Sequence, residues 1–308
     1  MNMQNFDPLD SKILFGLDVE LNDLIKLYNL NRFPKVLLIS GKKGIGKFTL
    51  ILHFLNYIFN KKNYDLKKNE LNNNKDFINS LKQNLFENIF IFTNKKIKIE
   101  NIRALKNTLL KSTSNNNPRF IILDNIDSFN ANSSNALLKI LEEPTNTNFF
   151  ILINNKEKDI LPTIKSRCLE KKIFISNAER VKIIKSLINE FRSDIKLDYL
   201  NSNITPGNFV HFNQICINND LDMRQNYKDI LPKILKLYKK TKDLSFINLS
   251  FFITEQYFYK LIKINNSNLN LLNNEKIEII KNINDYVNFN INIDTTINSI
   301  SKKFNYVN

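Results

Sequence analysis

An apolar run that ends in a glycine-bearing loop and restarts as a helix constrains this chain more than any other feature. Residues 35–40, KVLLIS, have the length and composition of a buried strand; GKKGIGK (41–47) follows at once, and TLILHFLNYIF (49–59) repeats apolar positions at helical spacing. Gly41, Gly44, Gly46 and Lys47 match G-x-x-x-x-G-K, and a strand before and a helix after are the setting in which that pattern means a phosphate-binding loop. Glycines let the backbone turn tightly and aim successive N–H groups at phosphoryl oxygens, while Lys47 supplies a point charge.

The same alternation continues. ENIFIF (87–92), RFIILD (119–124), NFFILIN (148–154) and KKIFI (171–175) predict four further strands. Between them lie a helix with Ile102, Leu105, Leu109 and Leu110 on one face, and SSNALLKILEEP, a helix capped by Ser133 or Ser134 and stopped at Pro144. A short helix begins near Leu161 and Pro162 and ends around Ser166. Strands alternating with helices predict an α/β fold with a parallel sheet covered on both faces. The Lys- and Asn-rich residues 60–83 predict a surface excursion with one polar helix. After 175 only helical patterns remain, with boundaries near 176 and 222, so the expected division is 1–175, 176–222 and 223–308.

The loop departs from a working ATPase at two points. The residue after Lys47 should carry a hydroxyl to ligate magnesium, and it is Phe48. Thr49 is displaced by about 100° around the helix, which turns its hydroxyl away from that metal. Asp124 ends its strand where it could hold a hydrated ion, but Asn125 stands where such enzymes place a glutamate to activate water, and an amide cannot take up that proton. Asp127 is expected as a turn or cap residue. Two readings stay open: a loop kept only as a strand-to-helix turn, or residual nucleotide binding through Gly41, Gly44, Gly46, Lys47, Thr49 and Asp124.

Composition bounds the rest. Of 308 residues 43% are hydrophobic and 24% charged, which argues against disorder. No apolar run approaches the roughly 18 residues that span a bilayer, and the start, MNMQNFDPLD, carries no export pattern, so a cytoplasmic address without membrane contact is expected. Cys168 and Cys216 belong to no C-x-x-C pair and are expected as inert thiols; His53 and His211 have no second ligand or nucleophile nearby. The net charge of +15 suits a polyanion, yet lysine and asparagine are abundant along the whole chain, as codon usage in an AT-rich genome would produce. Only seven residues are arginine, so a motif that keeps one is informative.

In order and spacing, GKKGIGK, IENIRALK, SSNALLKILEEP and LPTIKSRC resemble the clamp-loader subunits of bacterial DNA polymerase III, an AAA+ family, and among them the delta-prime branch. The likeness covers residues 14–175; the remainder resembles the family only in being helical. It implies an AAA+ domain, a small helical lid and an all-α collar through which five subunits assemble. It also implies that Arg167, flanked by Ser166 and Cys168, reaches the ATP of an adjacent subunit as an arginine finger in trans. The implied partners are the delta and gamma/tau subunits, the beta sliding clamp and, through the complex, primed DNA. Many members carry a four-cysteine zinc module after the phosphate-loop helix, but residues 50–118 contain no cysteine, so no zinc or other metal is expected. The lid's sensor position falls on Asn208, and Asn154 or Asn155 is the candidate for a first-sensor residue. The chain itself is expected neither to polymerise nucleotides nor to hydrolyse ATP efficiently. The rival readings are a working AAA+ ATPase of the gamma/tau kind and a stand-alone nucleic-acid-binding module driven by the charge.

Overall fold

The computed structural model describes residues 7–72, 75–83, 85–93, 117–142, 147–223, 225–264 and 269–303, with Ile102, Leu105, Leu109 and Thr145. Two compact units divide the chain. One runs through Leu187 and takes in Thr205–Asn208; the other holds Ile188–Ile204 and the residues from Phe209 onward.

The first unit contains, in chain order, α1 (Asp18–Asn29), β1 (Val36–Ser40), α2 (Lys47–Phe59), β2 (Tyr64–Asp65), β3 (Glu70–Leu71), α3 (Lys75–Lys82), β4 (Ile89–Phe92) and β5 (Arg119–Leu123). α4 (Ala131–Leu141), β6 (Asn148–Asn154), α5 (Pro162–Lys165), β7 (Leu169–Lys172) and the start of α6 (Asn177–Phe191) follow. Five strands make one sheet in the order β4-β5-β6-β1-β7, every pairing parallel. The α/β class expected from the alternating pattern is therefore the observed one.

Strand periodicity explains the two covered faces. Successive side chains point to opposite sides of a sheet, so Leu37, Ile39, Phe120, Ile122, Ile151 and Ile153 face one side, where they pack with Leu21 and Leu24 of α1 and Phe54 of α2. Val36, Leu38, Ile121, Leu123, Phe150 and Leu152 face the other, against Ile102, Leu105, Leu109, Leu137 and Ile164. Each of these side chains is buried, and burying one contributes about 1.5–3 kcal/mol of hydrophobic stabilisation. A strand apolar on both faces reads as a continuous hydrophobic run, which is why β1, β5 and β6 stand out in the sequence.

Three local expectations are corrected. The fifth strand lies at Leu169–Lys172, two residues before KKIFI, and pairs with β1 in the register Leu37–Leu169 to Ser40–Lys172. The excursion at 60–83 is not a surface appendage: β2 and β3 form a small antiparallel hairpin, and α3 is amphipathic, with Tyr64, Leu71, Phe77, Ile78 and Leu81 joining the core against α2. The cap of α4 is Asn130, whose side-chain oxygen accepts the Ser133 N–H at 2.8 Å, rather than either serine. The expected stop at Pro144 lies outside the described residues, and α4 ends at Leu141.

Thr205–Asn208 open α7 (Pro206–Asn218), whose later residues belong to the second unit with α8 (Tyr227–Thr241), α9 (Leu244–Ile264), α10 (Leu269–Phe289) and α11 (Ile293–Lys303). Here a buried polar pair is set into the packing: Tyr227 Oη and Thr254 Oγ1 lie 2.7 Å apart, and the Tyr227 ring stacks on Tyr257 at 4.4 Å. Among the described residues no helix is long and apolar enough to cross a membrane.

Candidate functional site: the phosphate loop and the Arg167 turn

The loop between β1 and α2 uses glycine where geometry demands it. Gly44 and Gly46 have φ of +79° and +93°, values that side-chain-bearing residues adopt only with strain. A Cβ on Gly44 would also run into Thr205 Oγ1 and approach Asn208, because the first turn of α7 lies directly on the loop. The Gly207 N–H donates to the Gly44 carbonyl at 2.7 Å. Asn208 and the phosphate loop are thus brought together as backbone neighbours.

Lys47 is buried, and its ammonium donates to the Gly41 and Lys42 carbonyls at 2.8 and 2.7 Å. Burial lowers its pKa to about 8, opposed by the nearby charges of Asp124, Asp127 and Glu157. Phe48 packs against the core on the α1–α2 side of the sheet, and Thr49, one position on, is half-buried. Asp124 feels the same desolvation: burial raises its carboxyl above the ordinary range, with Lys47 pulling it back down.

Beside Asp124 the chain turns sharply. Asn125 has φ +57°, is buried, and its Oδ1 accepts from Asn155 Nδ2 at 3.0 Å. Asp127, also buried, accepts the backbone N–H groups of Asn155 at 3.2 Å and Glu157 at 2.8 Å. It therefore acts as a long-range clasp on the turn after β6, and the purely local turn role expected of it is corrected. Asn154 Nδ2 donates to Ser40 Oγ at 3.3 Å, and its Oδ1 accepts the Lys156 N–H at 2.8 Å. Both candidate sensor residues are thus engaged in cross-strand and turn bonds.

These residues do not fit a magnesium-bound triphosphate. The position that should offer a hydroxyl holds a phenylalanine that packs against the core, and the position for a water-activating carboxylate holds an amide tied to Asn155.

The second feature lies after α5, a single turn that Pro162 opens at its first position. Ser166 Oγ donates to the Thr163 carbonyl at 3.1 Å and Cys168 Sγ to the Ile164 carbonyl at 3.0 Å. The cysteine packs against the second face of the sheet, and burial pushes its thiol up to about 11. Serine and cysteine thus pin the turn on either side of Arg167, whose side chain remains 35% exposed. Its Nη1 donates to the Thr163 carbonyl at 2.9 Å and its Nη2 to Glu142 Oε1 at 2.9 Å. Glu142 was not singled out from sequence: it stands 25 residues away, and only the fold brings the end of α4 beside the end of α5.

The remaining candidates are structural. His53 is fully buried with Nδ1 3.0 Å from Tyr64 Oη, and burial drives its pKa down to about 4. Cys216 is buried and its thiol is pushed up to about 12. His211 is exposed.

The chain is similar to known proteins of one family. The family described as "DNA polymerase III, delta subunit" matches residues 18–176. The DNA polymerase III subunit delta' of Buchnera aphidicola subsp. Acyrthosiphon pisum is 25% identical over 285 residues, covering 84% of this chain and 81% of that protein. The subunit delta' of Pseudomonas aeruginosa is 34% identical over 76 residues, 25% of this chain and 23% of that protein. Among solved structures, a DNA polymerase III gamma subunit-related protein of Thermotoga maritima aligns with a TM-score of 0.47 at 15% identity, covering 90% of this chain and 96% of that one. With more than half of its length matched, the chain belongs to the DNA polymerase III delta subunit family.

Proposed function

We propose that the chain is a delta'-type, non-hydrolysing subunit of a clamp loader, contributing Arg167 to the ATP site of the adjoining subunit. The observation that carries this reading is a contrast within one unit. Its own phosphate loop has Phe48 packed against the core where a metal-ligating hydroxyl is wanted, while Arg167 is exposed on a turn pinned by Ser166 and Cys168. Arginine suits the role because its planar guanidinium makes paired hydrogen bonds to phosphoryl oxygens and stabilises charge developing on the transferred group.

Within this proposal, residues 1–175 form the AAA+ domain, 176–222 the lid and 223–308 the collar. The partners are the delta and gamma/tau subunits, the beta sliding clamp and primed DNA, met in the cytoplasm. The loop Gly41, Gly44, Gly46, Lys47, with Thr49 and Asp124, is a degenerate site that serves as a turn. Reconstitution with the other subunits tests the proposal: Arg167→Ala should slow DNA-stimulated ATP hydrolysis by the assembly, and a normal rate would sink it. Turnover of magnesium-ATP by the chain alone, abolished by Lys47→Ala, would equally refute it.

A further inference from the structure

We infer that Glu142 is a positioning residue for Arg167, orienting its guanidinium before the adjoining subunit's triphosphate arrives; this rests on the trans-arginine reading above. Glu142 caps the C-terminal end of α4, with its N–H on the Leu138 carbonyl at 3.0 Å. A carboxylate at that end of a helix opposes the helix dipole unless a cation neutralises it, and Arg167 does so at 2.9 Å. The Glu142 carboxylate and the Thr163 carbonyl engage the two terminal nitrogens of the guanidinium separately, which fixes the plane of the group. Among the described residues two N–H groups are used and the others have no partner, so a phosphoryl oxygen can be met without either anchor letting go.

Orientation is the quantity a flexible, surface-mounted arginine lacks. A long side chain loses rotamer freedom when it engages a ligand, and holding it beforehand removes part of that loss. The anchors come from rigid places: one ends α4, whose Leu137, Ile140 and Leu141 are buried under the sheet, and the other lies within the turn held by Ser166 and Cys168. Both side chains of the pair are partly solvated, at 35% and 51% exposure, so the contact is that of a surface pair and its effect on rate is correspondingly moderate.

The test compares loaders reconstituted with wild-type chain, Glu142→Ala, Glu142→Gln, Arg167→Ala and the double variant Glu142→Ala/Arg167→Ala, reading kcat and KM for DNA-stimulated ATP hydrolysis. The expected result is a kcat about two- to fivefold lower for Glu142→Ala. Glu142→Gln, which keeps an acceptor oxygen at similar reach, should recover most of that loss. In the Arg167→Ala background the Glu142 change should have no further effect, because the residue acts only through the arginine. A wild-type rate for Glu142→Ala beside a slow Arg167→Ala would overturn the inference and leave the trans-arginine reading intact. An equal loss with and without Arg167 would overturn it as well, since Glu142 would then serve structure alone. A normal rate for Arg167→Ala would remove the reading and this inference together.

Discussion

Lys43 on the phosphate loop lies 2.9 Å from Glu157 in the turn after β6, and the N–H of that same Glu157 is held by Asp127 at 2.8 Å. The two contacts have unequal weight. Lys43 and Glu157 are each 46% exposed, and a solvated pair of this kind contributes up to about 1 kcal/mol. Asp127 is buried and satisfies two backbone donors. Replacing it by Asn, which retains only one acceptor oxygen, should lower unfolding free energy by about 1–3 kcal/mol. Amide exchange at Asn155 and Glu157 should quicken, while Lys43→Ala leaves both nearly unchanged. Undisturbed exchange in Asp127→Asn would remove the clasp.

Acid should destabilise the first unit through His53. Its folded pKa, about 4, lies below the ordinary 6.5, so the unfolded chain takes up the proton first as pH falls. Stability from this group is full above about 6.5, declines from there, and is lost by pH 4, for a total of roughly 3 kcal/mol. Urea midpoints measured between pH 7 and 4 should fall more steeply for wild type than for His53→Gln; parallel slopes would contradict the buried, neutral imidazole.

Gly44→Ala should be costly even though it adds one carbon. The residue must hold φ near +79° and would press on Thr205 and Asn208, so a loss of about 1–3 kcal/mol is expected. Thermal unfolding reads it, and an unchanged midpoint would mean that the first turn of α7 does not rest on the loop.

Phe48→Ser should not restore hydrolysis. The substitution places a hydroxyl where a metal ligand is wanted, but it withdraws a ring from the core, at about 1–3 kcal/mol. Asn125 still cannot take a proton from water. Phosphate release from magnesium-ATP by the purified variant would show that the missing hydroxyl was the sole defect.

Much of the fold could be read from the chain because the central strands are apolar on both faces, and no polar alternation competes with that signal. Where the signal failed, the reason is local. β7 is edge-placed and carries Glu170, Lys171 and Lys172, so the hydrophobic cue slid to Ile173, which is buried just beyond it. The core positions of the 60–83 segment, Tyr64, Leu71, Phe77, Ile78 and Leu81, are scattered among lysines and asparagines, which hid an amphipathic α3 inside a polar composition. The strand-to-helix turn at Gly41–Lys47 and the short helix before Arg167 could be read because their motifs are contiguous. Glu142 beside Arg167, Asp127 beneath Glu157 and Gly207 on Gly44 could not, since each contact joins residues distant in sequence.

The border strand β7 has a consequence of its own. A terminal strand shows one row of unpaired amides and carbonyls to any stray extended peptide, and a flat greasy border would invite zippering into aggregates. Here that border reads LEKK, and its Lys171 already reaches over to Asp23 at 2.7 Å. An incoming strand would have to bury ammonium and carboxylate groups beside its own backbone, so charge guards this border of the sheet.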